Sequence, residues 1–266
     1  MPSAQRIADE RKLPFYKNAP LNELAVGVQF QQLSGWQSRH VGQFWTEVSK
    51  EFPLTEDQPP IFEVEGGPRF QILHLPPLRR TFLISQDQNF VIQLQESRFL
   101  FNWRKRQSID VYPRFTAVFE RFVAHWGHFS DFVAHEKVGI LKPIRYELTY
   151  VNHIEQRDEP VSETVERYAK IFNFSSLGAQ FLSPPTGINV VWTFQLPDQL
   201  GFAQANLSQG VRADGRAVLV LVMSCNGSAS PKISMNDWFA VAHRWLSDGF
   251  KELTTETARK EWGYSE

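Results

Sequence analysis

Apolar residues recur along the chain at two periods, and the clearest example of the shorter one is Phe90 to Arg106, FVIQLQESRFLFNWRKR. At period two, Phe90, Ile92 and Leu94 share one face of a strand, and Phe99, Phe101 and Trp103 share one face of the next. With Glu96-Ser97 as a two-residue turn, Leu94 falls opposite Phe99, Ile92 opposite Phe101 and Phe90 opposite Trp103. Aromatic–aliphatic pairs of this kind contribute roughly 0.2–1 kcal/mol each relative to alanine pairs and fix the register. The other face carries Gln93, Gln95, Arg98, Asn102 and Arg104, interrupted by Val91 and Leu100. Upstream, residues 1–19 read as a polar, loosely held arm. Pro20 then leads into a strand with Leu24, Val26, Val28 and Phe30 at period two. Val41, Phe44, Trp45, Val48 and Phe52 follow at helical spacing. Pro53 and Pro59-Pro60 end that helix and open an extended segment. Strands are predicted at Phe70–His74 and Thr81–Ser85.

Downstream, Pro113 marks the head of a long helix, where a missing N–H does no harm. Phe115, Val118, Phe119, Phe122, Trp126, Phe129 and Val133 form its apolar stripe, and it runs close to His135. Pro143 opens a strand with Ile144, Tyr146, Leu148 and Tyr150 on one face. VERYAKIF reads as a short helix, and Pro184-Pro185 precedes a strand at Ile188–Phe194. Asp214-Gly215 closes a hairpin between Ala203 and Ser224. The last helix places Trp238, Val241, Ala242, Trp245, Leu246 and Phe250 on one side.

Matching elements recur at nearly constant offset: 123 positions from Pro20 to Pro143, 125 from Pro59 to Pro184 and 123 from Phe115 to Trp238. The expectation is an α+β fold of two tandem β-α-β-β-β-(β)-α repeats, residues 20–140 and 141–266, with the arm at 1–19. Prolines that coincide by chance are the alternative. Each repeat would lay an antiparallel sheet on one long helix, a layout similar in topology to the TATA-binding-protein repeat and, per half, to helix-grip ligand folds. Fold similarity licenses no function.

Composition narrows the classes. A net charge of −1 gives no global pull toward nucleic acid or anionic membrane, so such binding would need a local patch. One cysteine, Cys225, excludes an internal disulfide and any multi-cysteine zinc site, and its run VLVLVMSC marks it as a small buried hydrophobe. The N-terminus carries charges where a secretory leader needs an apolar run, and Ala217 to Met223 is too short to span a bilayer. A cytoplasmic protein without membrane contact is expected. No phosphate-binding Gly loop, G-x-S-x-G, HExxH or EF-hand pattern occurs, which lowers the prior for an enzyme without excluding one. Glu63-Val-Glu65-Gly-Gly67 reads as an acidic turn.

Four constellations carry candidate chemistry. Arg98, Asn102, Arg104, Lys105 and Arg106 make the densest basic-aromatic segment, a candidate surface for a partner's phosphates or bases; the plainer reading puts Phe99, Phe101 and Trp103 in the core and the arginines on a solvated face. His125, His128, Asp131 and His135 line one side of the long helix, but their ends lie about 15 Å apart and opposite the apolar stripe, so surface polarity explains them better than a metal. Tyr150, Asn152 and His153, with Glu155, are weak candidates for a polar cleft, edge-strand polarity being the plainer account. His243 reads as a boundary residue bonded to a carboxylate or carbonyl, and Trp262 as the anchor of the C-terminal tail. No metal or cofactor is assigned.

Several short motifs together resemble a sporadically distributed family of uncharacterised bacterial proteins of about 250–270 residues. They are Pro20-Leu-Asn-Glu with Gly27-Val-Gln-Phe, Gln58-Pro-Pro, Val91-Ile-Gln-Leu-Gln with Arg98-Phe-Leu-Phe-Asn-Trp-Arg-Lys, Tyr112-Pro-Arg-Phe, Leu148-Thr-Tyr-Val-Asn, Ala242-His-Arg, and Phe250-Lys-Glu-Leu-Thr-Thr before Glu261-Trp262. The resemblance implies no activity, cofactor or catalytic residue; patchy occurrence implies a mobile or defence-related gene context. The leading expectation is a non-catalytic module that binds a protein partner. Nucleic-acid binding through the basic hairpin is the second, and an apolar small ligand held between a sheet and its long helix is the third.

Overall fold

The computed structural model describes residues 13–61, 79–156, 159, 161–170, 187–212 and 214–265. The strand predicted at Phe70–His74, the acidic turn Glu63–Gly67, Pro184-Pro185 and the first part of the N-terminal arm lie outside the described residues. The fold is α+β, with antiparallel sheet, several helices and no closed barrel among the described strands. The chain divides into two compact units, one of residues 25–145 and one joining the residues through Leu24 to Tyr146 onward.

In the unit of residues 25–145, β2 (Leu21–Phe30, its part from Ala25) is followed by α1 (Ser38–Val48), β3 (Leu54–Gln58), β4 (Arg80–Ile84), β5 (Phe90–Gln95), β6 (Arg98–Arg104) and α2 (Phe115–Glu136). The strand order is β3-β4-β5-β6-β2. β5 and β6 pair in the register that the hydrophobic pattern predicts, with Leu94 opposite Phe99, Ile92 opposite Phe101 and Phe90 opposite Trp103. The aromatic face of this hairpin is core: Phe99 and Phe101 are fully buried and Trp103 nearly so. Helix α2 covers it, with Phe129 5.2 Å from Phe99 and 5.8 Å from Phe30 between ring centroids. Its buried stripe takes in Phe132, while Trp126 is half-buried. Two boundaries move from the predicted ones. Pro113 precedes Arg114, the N-cap at φ 76°, so it stands outside the helix and not in its first turn. Helix α1 begins earlier, at Ser38, because the buried His40 ring accepts a hydrogen bond from Gln37 N at 2.9 Å and closes that end.

The other unit contains β1 (Phe15–Tyr16), β7 (Pro143–Glu155, its part from Tyr146), α3 (Val161–Tyr168), β8 (Asn189–Gln195), β9 (Phe202–Val211), β10 (Ala217–Ser228), α4 (Met235–Leu253), α5 (Glu256–Glu261) and β11 (Tyr264–Ser265). Its strand order is β7-β10-β9-β8. Helix α4 is started by Ser234, whose hydroxyl accepts from Asp237 N at 3.1 Å. It packs Trp238, Phe239, Ala242, Leu246 and Phe250 inward. Cys225 lies fully buried beneath it, and burial pushes its thiol up to about 12, so it is inert as a nucleophile.

The described end of the N-terminal arm is not loose. Phe15 and Tyr16 pair with Ser265 and Tyr264, and Tyr16 packs edge-on to Phe250 at 5.4 Å. Trp262 anchors this clasp, stacked on Tyr168 at 5.8 Å and Phe250 at 5.4 Å. A polar-looking arm buries the Tyr16 ring against partners at the far end of the chain.

Candidate functional site

The residues of the basic hairpin do not make one surface. Arg98 and Arg104 stand at opposite ends of β6, six residues apart, which is about 20 Å in a strand. Asn102, between them, is 2% exposed; Gln93 donates to its Oδ1 at 3.0 Å, and Arg80 donates to Gln93 Oε1 at 2.9 Å. Gln95 is held as well, accepting from Ile61 N at 3.1 Å and donating to Ile61 O at 3.3 Å. The face expected to be solvated is therefore largely a buried amide layer, closed over at Gln95 by the chain leaving β3. At the far end, Arg104 Nε donates to Gln88 O at 2.9 Å, and Arg106 reaches the Gln88 side chain at 3.4 Å. Lys105 is half-buried beside them. The Asp110 carboxylate accepts from Arg106 N, Gln107 N and the Asn89 amide. Burial pushes its carboxyl up, but these bonds outweigh that and hold it below the usual range. The aromatic side chains that would stack on bases are in the core.

The helical histidine stripe also divides. His125 is not on the solvent side: it lies between Phe52 and Phe101, at 5.1 and 5.3 Å. Burial pushes its pKa down, and Glu51 at 3.4 Å opposes the shift. His128 meets Glu47 at 2.7 Å, and His135 is 82% exposed. Among the described residues, no three His, Cys, Asp or Glu side chains converge as a metal site would require.

Tyr150, Asn152 and His153 do not share a cleft, because alternation along β7 sends His153 to the face opposite the other two. Asn152 is buried and donates to Leu221 O at 3.1 Å, tying β7 to β10. His153 Nδ1 is buried with no hydrogen-bond partner among the described residues, and burial together with Arg212 pushes its pKa down. Tyr150 turns under α4, its hydroxyl 2.7 Å from His243 Nδ1, with Ser247 Oγ at 3.4 Å. These two neighbours of Nδ1 are hydroxyls. Burial, aided by the charge of Arg244, pushes its pKa down to about 3. The ring is neutral at ordinary pH.

On the other shoulder of α4, the structure opens a groove that the sequence reading did not single out. It has a volume of about 690 Å3 and runs along the helix from Ala240 to Leu253, with Phe194 of β8 and Pro197 completing its lining. Phe194 and Trp245 form the floor, their ring centroids 5.4 Å apart. Gly249 also lines it; a Cβ there would meet Met223 Cε at 3.4 Å and Trp245 Cζ3 at 3.5 Å, ordinary contact distances. Arg244, Asp248 and Glu252 are exposed along its rim. The sequence held one signal of it. Val241 and Trp245 extend the apolar arc of this helix to about 180°, wider than one sheet face covers. A second groove of about 580 Å3, between α1 and β3–β4, is crossed by the Arg79–Asp57 ion pair at 2.8 Å and is more polar. No helix among the described residues is long and apolar enough to cross a membrane. Compared with protein-family models, with curated proteins and with solved structures, the chain matches none.

Proposed function

We propose that this protein is a non-catalytic binding module and that a protein partner docks in the groove along α4. The observation that carries the reading is the water-facing aromatic floor, Phe194 and Trp245, framed by Val241, Leu253 and a charged rim. An apolar concave floor with a few polar groups at its edge is a common layout of binding sites. The volume also falls within the roughly 300–1,000 Å3 of small-ligand sites, which supports an apolar small molecule as a second reading. The long open side favours a polypeptide. Nucleic-acid binding at the hairpin has less support, since its aromatics are buried and Arg98 and Arg104 are far apart.

The element order supports a tandem repeat. In each unit the first strand lies beside the last (β2 by β6, β7 by β10), the strands between run in reverse order, and a long helix follows. That order supports the TATA-binding-protein-like or helix-grip-like topology proposed from the offsets. Cytoplasmic residence and membership of the sporadic bacterial family, with its mobile or defence-related gene context, belong to the same reading and rest on the sequence motifs.

The test is an affinity pull-down from cells that make the protein, with nuclease treatment, using the wild type, Gly249→Leu to fill the floor and Val241→Lys to charge the wall. A protein retained by the wild type and lost from both variants is the expected result. Recovery of nucleic acid that depends on Arg98 and Arg104, or turnover of a substrate lost on changing Tyr150 or His243, would overturn the proposal.

A further inference from the structure

Resting on that reading, we infer that the groove takes an amphipathic α-helix whose polar edge carries one acidic and two basic side chains at four-residue intervals. Arg244, Asp248 and Glu252 are themselves spaced by four on α4, so they form one row with about 6 Å between neighbours. Read along the helix, the rim is positive, negative, negative. A second helix lying beside α4 presents its own i, i+4, i+8 positions at the same rise, so three opposite charges fall into register with the row. Its apolar stripe, at i, i+3, i+4 and i+7, would then rest on Val241, Trp245, Phe194 and Leu253. The groove follows α4 for about 20 Å, room for some thirteen residues of a partner helix.

The wall chemistry favours a helix over an extended chain. An added strand draws its affinity from main-chain hydrogen bonds. One wall here is the side of α4, whose backbone groups are already used within the helix, so an extended peptide would leave its own N–H and C=O groups on that side unpaired. A helix satisfies its backbone internally and offers only side chains, which is what this groove can meet.

The test uses synthetic sixteen-residue helical peptides without Trp, all with the same apolar stripe. Two carry the complementary charges (acidic-basic-basic and the reverse order, since the binding direction is open), and two carry the charge-swapped sets. Binding is measured by fluorescence anisotropy of the labelled peptide at low salt. Exposed ion pairs are individually weak, but three attractions replaced by three repulsions should separate the better complementary peptide from both swapped ones by about tenfold, or about 1.4 kcal/mol. The difference should shrink at high salt. The triple variant Arg244→Glu, Asp248→Lys, Glu252→Lys alters only exposed positions and should invert the preference. Equal binding of complementary and swapped peptides, each lost on Gly249→Leu, would overturn the charge register while leaving the docking groove in place. Binding of none of the peptides, alongside a pulled-down protein lost from Gly249→Leu, would overturn the helical occupant alone. Absence of any groove-dependent protein in the pull-down would remove the underlying reading as well.

Discussion

The half-buried ring of His243 makes folding stability depend on pH in a way that can be isolated. Its pKa is about 3 in the folded protein against an ordinary 6.5, so between these values the unfolded chain binds the proton that the folded chain refuses. Stability contributed by the neutral ring is fully present above pH 6.5, falls as pH drops below it, and is lost as pH approaches 3. From pH 7.5 to pH 5 the loss from this one residue is at most about 2 kcal/mol, at about 1.36 kcal/mol per decade of proton concentration. His40, His125 and His153 are shifted the same way, so the total slope does not identify His243. The difference between the wild type and His243→Asn does. The asparagine amide occupies the place of the Nδ1 edge and can bond the Tyr150 hydroxyl through its oxygen or its nitrogen, but it does not titrate. Urea unfolding followed by Trp fluorescence at pH 7.5, 6.5, 5.5 and 5.0 should show the wild type losing up to 2 kcal/mol more than the variant over that range, a figure that follows from the same 1.36 kcal/mol per decade. In parallel, the imidazole 13C signal absent from His243→Asn should not titrate down to pH 4.5. Parallel pH slopes for the two proteins, or a titration midpoint above 5, would show that the Tyr150–His243 contact does not exclude the proton.

Other expectations follow from packing. At Gly227 a Cβ would lie 2.1 Å from Leu200 O and 2.3 Å from Trp238 Nε1, whose own hydrogen bond to Leu200 O is 2.9 Å; Gly227→Ala should therefore cost about 2–4 kcal/mol by urea unfolding, from overpacking and a strained or lost bond. A change under about 0.5 kcal/mol would mean the corner yields freely. Asn102→Leu removes the acceptor for the Gln93 amide in a buried layer and should destabilise by about 1–3 kcal/mol, whereas Arg106→Ala, at an exposed position, should leave the unfolding midpoint unchanged. Phe129→Ala empties a fully buried site between Phe30, Phe44 and Phe99 and should cost about 3–5 kcal/mol; thermal unfolding at the wild-type temperature would contradict the packing described for α2.

What the sequence determined by itself was local and periodic. The Phe90–Trp103 hairpin and its register follow from alternation, because a slip of one residue would turn three aromatic side chains to the wrong face. The two long helices follow from stripes with the 3.6-residue period, and burial of Cys225 follows from its apolar run. Even the separation of His153 from Tyr150 and Asn152 was contained in strand parity, though they read as a cluster when adjacency along the chain was taken for adjacency in space. Tertiary structure decided what covers each face and which distant groups meet. Glutamine and asparagine read as solvent-facing, yet Gln93, Gln95 and Asn102 are buried because their amides satisfy one another, the Arg80 guanidinium and the Ile61 backbone. The clasp of Tyr16 on Trp262 and Tyr264 joins positions some 250 residues apart, and the Tyr150–His243 bond joins positions 93 apart; neither leaves a mark in any local pattern. The groove is of the same kind. Its floor exists because α4 carries a wider apolar arc than its sheet covers, and the place where that surplus meets Phe194 is set by the pairing of β8 with β9, which no single segment encodes.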